Sequence, residues 1–163
     1  MDERGLAGIL HDTIKDEGSG LWLSSSFTSH AGLAVDDNAS AYEIRPDANR
    51  GVAGVVYLLG RLARLDMTTP ETREQVQRAV QWLLRQPSTA ERNLPGLHFG
   101  RAGIAMAMVE ALSGGLIERT SELDAFMADA LAGPLDWPGL THGAAGQGVA
   151  KLGVTRGSQC SPQ

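Results

Sequence analysis

The sequence predicts an all-α chain made of repeated helical hairpins, and three observations carry this. The tetrapeptide Gly-x-Ala-Gly occurs three times, at Gly51–Gly54, Gly100–Gly103 and Gly143–Gly146, with spacings of 49 and 43 residues. Each copy opens an apolar segment longer than an ordinary strand, which reads as a buried helix. Between the copies lie amphipathic segments with apolar residues at helical spacing. The chain has 163 residues, 42% of them hydrophobic and 20% charged. That suits one globular domain with a real core and argues against disorder.

Taken in order, Leu6, Ile9, Leu10 and Ile14 suggest an N-terminal helix stopped by Gly18-Ser19-Gly20. Residues 21–50 hold no sustained period. Ser24-Ser25-Ser26 and Asp36-Asp37-Asn38 read as loop, with room for a short strand near Leu21–Phe27. After Gly51 come Val52, Val55, Val56, Leu58, Leu59 and Leu62, with no charge before Arg61. Thr68-Thr69-Pro70-Glu71 has the form of a capping box with Pro in the first turn. Behind it Val76, Ala79, Val80, Leu83 and Leu84 make one face of a helix. The second buried segment, Ala102–Val109, carries no charge between Arg101 and Glu110. Thr120 or Ser121 can cap the next helix, whose stripe is Leu123, Phe126, Met127, Ala130 and Leu131. In the third copy Lys151 falls where the first has Leu59, and Gly153 and Gly157 then favour loop. The expected division is an N-terminal helix and irregular lead-in over 1–50, repeats over 51–152, and a disordered tail over 153–163.

The net charge of −5 argues against a nucleic-acid or anionic-membrane partner. The single Cys160 excludes an internal disulfide framework and a multi-cysteine metal site within one chain. The sequence holds no run of eighteen apolar residues, and Met1-Asp2-Glu3-Arg4 opens no secretory signal. The expectation is a soluble cytoplasmic protein. The motif glycines Gly51, Gly54, Gly100, Gly103, Gly143 and Gly146 are read as structural, since glycine at a helix start allows close backbone approach.

The flanks of the motifs narrow the reading. Leu94-Pro95-Gly96-Leu97-His98-Phe99-Gly100-Arg101-Ala102-Gly103 and Leu140-Thr141-His142-Gly143-Ala144-Ala145-Gly146 resemble segments of lanthionine synthetase C-like cyclases. The resemblance is closest to the cyclase domains of multidomain lanthionine synthetases. Leu21-Trp22-Leu23-Ser24-Ser25-Ser26-Phe27 and Gly51-Val52-Ala53-Gly54-Val55 resemble the lead-in and first-hairpin motif of the same family. It covers roughly residues 20–152. The resemblance implies a partial double-layered α/α toroid, with about three of the family's seven hairpins. It also implies chemistry: addition of a peptide Cys thiolate to a dehydrated Ser or Thr, closing a thioether ring in lanthipeptide biosynthesis. That reaction needs a nucleophilic thiolate and a proton donor for the enolate.

His142 in Thr141-His142-Gly143 matches the family's histidine motif and is the candidate catalytic acid/base; imidazoles as a class exchange protons near neutrality. His98 lies out of register with His142, and Arg50 stands where relatives often carry His before the first motif. His11 and His30 read as surface residues. Zinc-dependent members use two Cys and a His, including a Cys-His-Gly motif. This chain has no Cys-His-Gly, so no metal and no cofactor is expected, and Cys160 reads as an incidental thiol. The expected partners are a peptide substrate or a complementary cyclase fragment, and self-association is expected from an open ring.

Two other readings compete. One is a non-catalytic helical-repeat module that binds a peptide or partner protein with its inner face. The other is a different α/α toroid enzyme, such as a glycoside hydrolase, needing two placed carboxylates; Asp36, Asp37 and Asp136 stand in no recognisable motif.

Overall fold

A computed structural model describes residues 15–25, 42–86, 94–133 and 135–159. The N-terminal helix expected near Leu6–Ile14 lies outside these residues, as do His11, His30, Asp36, Asp37 and Cys160. The described chain is mostly helical. A short antiparallel pair, β1 (Ser24–Ser25) and β2 (Tyr42–Glu43), sets Ser24 opposite Glu43. Five helices follow: α1 (Val52–Ala63), α2 (Pro70–Leu84), α3 (Arg101–Ser113), α4 (Ser121–Ala130) and α5 (Ala144–Gln159).

The helices opened by the glycine motifs pack in a row, α1 on α3 and α3 on α5, while α2 backs α1 and α4 backs α3. The sequence explains this division. α3 is apolar on every side, and Ala102 to Val109 are buried apart from half-buried Met106; it is the middle member of the row. α2 and α4 bury one stripe each: Val76, Ala79, Val80 and Leu83 on α2, and Leu123, Met127 and Ala130 on α4. α1 and α5 depart from the expectation of burial all round. Tyr57 and Leu58 on α1, and Val149 and Leu152 on α5, are exposed.

Close approach sets the row. A Cβ at Gly60 of α1 would lie 2.6 Å from the Glu110 carbonyl carbon of α3, and one at Gly114 would lie 2.7 Å from the Gly60 carbonyl oxygen. Only hydrogen side chains allow backbones this near. Beside this contact the Glu110 carboxylate, nearly buried, pairs with Arg64 at 3.2 Å and Arg61 at 3.7 Å across the same helix pair. The two interhelical pairs hold a charge that would otherwise be costly to bury.

The helix ends follow local chemistry. Thr69 caps α2, but its partner is Thr72, not Glu71: the Thr69 hydroxyl accepts from the Thr72 amide, and the Thr72 hydroxyl accepts from the Thr69 amide at 3.1 Å. Pro70 takes the first helical position, which shifts the cap one residue beyond Thr68. Of the two candidates on α4, Thr120 is the cap and accepts from the Leu123 amide at 3.2 Å. At the far ends, α1 and α3 close alike. The Met67 amide donates to Leu62 and the Leu116 amide to Ala111, with left-handed Asp66 (φ 55) and Gly115 (φ 65) in between.

The loop expected after Leu152 is corrected. α5 runs through Gly153 and Gly157 to Gln159. A Cβ at Gly153 would meet the Met106 sulfur at 2.4 Å, so glycine there serves the contact with α3. Tertiary packing outweighs the roughly 1 kcal/mol helix penalty of a glycine. Lys151 is exposed where its counterpart Leu59 is buried.

Candidate functional site

The three motifs build the same structure three times. At the first glycine of each, an added Cβ would fall 2.3 Å from the Arg45 oxygen, 2.1 Å from Leu94 and 1.9 Å from Trp137, always the carbonyl six residues back. At the second glycine the partners are the carbonyls of Ala48, Leu97 and Leu140, at 2.5, 1.9 and 2.1 Å, again six residues back. The amide after the first glycine donates to the same upstream carbonyl each time: Val52 to Arg45 at 2.8 Å, Arg101 to Leu94 at 2.8 Å, and Ala144 to Trp137 at 2.6 Å. Each lead-in loop therefore folds back over the start of its own helix, and side chains at the two glycines would close the gap.

The loops also join one another. The Ala48 and Asn49 amides donate to the His98 carbonyl, at 3.1 and 3.0 Å. One repeat on, the Leu97 amide donates to Leu140 at 3.0 Å and the His98 amide to Thr141 at 3.1 Å. His98 works here through its backbone. The residues just before the three motifs, Arg50, Phe99 and His142, share a register position at the same end of the row.

His142 is exposed, and its ring stacks on Phe99 with centroids 5.1 Å apart and planes 15° apart. Phe99 also lines a cleft of about 260 Å³ with Glu43, Ile44, Arg45, Pro46, Asp47 and Ile104. Arg45 is held between two carboxylates, Glu43 at 2.7 Å and Asp47 at 2.9 Å. Burial lowers the guanidinium pKa, but the hydrogen bonds and charges of Asp47 and Glu43 outweigh it and the net shift is upward. Asp47 is the buried carboxylate that the sequence did not single out. Its oxygens also accept from the Asn49 amide at 3.1 Å and the Arg50 amide at 2.9 Å. These bonds make it the brace of the first loop. The Ser24 hydroxyl donates to the Arg50 carbonyl and ties β1 to the same loop.

Family models, curated proteins and solved structures offer no match to this chain. Among the described residues, no three His, Cys, Asp or Glu side chains gather into a metal-binding group. The zinc that the resemblance implies for metal-dependent members does not fit this donor set, because it takes two cysteines and the chain has one. Asp136 is exposed. No helix among the described residues is long and apolar enough to cross a membrane.

Proposed function

We propose that the chain is part of a lanthionine synthetase C-like cyclase, contributing two hairpins and a third inner helix to an α/α toroid that closes thioether rings in a modified peptide. One observation carries the reading: the ordered motifs share one glycine-to-carbonyl geometry and set Arg50, Phe99 and His142 at equivalent positions. In this reading His142 is the acid/base. Its imidazole takes the proton from the peptide thiol, and the sulfur bonds to the β-carbon of the dehydrated residue. The π electrons move into an enolate, and the imidazolium returns the proton to the α-carbon. The Phe99 ring holds the imidazole by stacking.

A second reading, a peptide- or protein-binding repeat module, is favoured by the exposed Trp137 and Leu140 close to His142 in the chain. One experiment separates the two. The protein is incubated with a dehydrated peptide carrying one Cys, and free thiol is followed with time. Thiol loss faster than in the peptide alone, and abolished in His142→Ala, supports the cyclase. Saturable peptide binding without acceleration, unchanged in His142→Ala, supports the module. Neither acceleration nor binding rejects both.

A further inference from the structure

We propose that two copies of this chain associate head to tail, the α5 edge of each receiving the α1 edge of the other, to close a ring of six inner helices. The repeat register defines both edges. Ala53 and Ala102 are fully buried, yet their counterpart Ala145 is exposed. Val56 and Ala105 are fully buried, yet a Cβ at their counterpart Gly148 would meet nothing within 4 Å. The loops agree. A Cβ at Gly96 would lie 2.3 Å from the next loop at Thr141 and His142, while its counterpart Gly139 faces open space. Among the described residues, the Leu140 and Thr141 amides make no bond of the kind their counterparts make to a following loop.

The opposite edge is complementary. Ala107 and Ala150 are fully buried, and Ala150 shares a buried cluster with Ala102 of the preceding inner helix and Leu131, against which Met106 packs. Their counterpart on α1, Leu58, is 40% exposed. Among the described residues before the first hairpin, Lys15 reaches Gln75 on α2 and Ser24 sits on the Arg50 carbonyl. The interface between successive repeats therefore continues onto a second molecule. Leu58 of one copy seats by Ala145 and Val149 of the other, the register counterparts of Ala102 and Met106 in the cluster that holds Ala150. The Asn49 carbonyl, counterpart of His98 and Thr141, accepts from the partner's loop. Val149 and Leu152, 45% and 63% exposed in one copy, become covered. Two copies using both edges leave none open, which is the closed alternative to an unending array.

This goes beyond the cyclase reading, and its test reads mass, not activity. Sedimentation equilibrium of the full chain is expected to give twice the chain mass. Leu58→Lys and Val149→Glu should each give the single-chain mass with an unchanged helical circular dichroism spectrum, both positions being exposed. An equimolar mixture of the two should return to twice the mass, because one interface is then native and the other pairs Lys with Glu. Leu152→Glu is the second α5-edge variant, should Val149→Glu lose helical signal. A wild-type protein at the single-chain mass, or assemblies larger than two copies, would overturn the proposal. So would Leu58→Lys remaining dimeric, since that result points to a face-to-face contact through α5 alone.

Discussion

A methyl group at Gly103 would stand 1.9 Å from the Leu97 carbonyl oxygen and 2.8 Å from the Ala48 Cβ, which lies on the preceding loop. Both obstacles belong to backbone or to a side chain with no freedom to turn away. Gly103→Ala is expected to cost about 3 kcal/mol in urea unfolding, at the upper end of overpacking. Gly148→Ala reverses the sign. It lies inside α5 with nothing within 4 Å of the new methyl, so it should stabilise by ~0.5–1 kcal/mol. Two glycines of one helical family then answer the same substitution in opposite directions, and equal effects would deny the loop-over-helix geometry. A third residue reports through pH. The Ser19 hydroxyl and amide both donate to the Asp16 carboxylate at 2.7 Å and hold its pKa below the ordinary carboxylate value. A depressed folded pKa contributes stability at pH above the unfolded value, and loses it as pH falls through the folded one. In an NMR titration Asp16 should lose its charge at lower pH than a free aspartate, and Ser19→Ala should move the midpoint up.

Each helix end carries a test that belongs to the element alone. Thr120→Ala removes the acceptor for the Leu123 amide and should destabilise by ~1 kcal/mol, while Thr69→Ala should cost at least as much because it also ends the reciprocal bond with Thr72. Asp66 holds the left-handed position that Gly115 holds one repeat later, so Asp66→Gly should raise stability by about 1 kcal/mol in thermal unfolding. Such features explain how far the sequence could be read. Helix starts at Gly51, Gly100 and Thr120 were legible because a cap and the apolar run behind it are neighbours in the chain. The alternation of buried and one-sided helices was legible too, since α3 is apolar all round and α2 only along a stripe. The continuation of α5 was not. Gly153 reads as a breaker until Met106, far back in the sequence, is found against it. Asp47 was equally hidden, for its partners Arg45, Asn49 and Arg50 form no motif and only the folded loop brings them onto one carboxylate. The stack of Phe99 on His142 could have been sought once the repeats were aligned, because both precede the first glycine.

Stability in a stack of repeats is approximately the sum of each unit and its contacts with neighbours, so it need not be even along the row. α3 has α1 on one side, α5 on the other and α4 behind, and its approach to α1 is locked by Gly60, Gly114 and the Glu110 pairs. Among the described helices α5 packs chiefly on α3, and Lys151 stands exposed where the first two repeats bury Leu59 and Met108. Local opening free energies follow the number of faces a helix has buried. In a single copy, obtained with Val149→Glu, hydrogen exchange should therefore be slowest in α3, intermediate in α1 and fastest in α5. Gly60→Val should then speed exchange in α1 while leaving α5 nearly unchanged, because it wedges apart one interface of the row and not the other. Uniform protection across the three inner helices would mean that the chain unfolds as one cooperative block. In the wild-type protein the covering of α5 by the partner's α1 should slow its exchange toward that of α3. The difference between the two forms would then be confined to residues 140–152 and the exposed side of α1, the surfaces the head-to-tail contact buries.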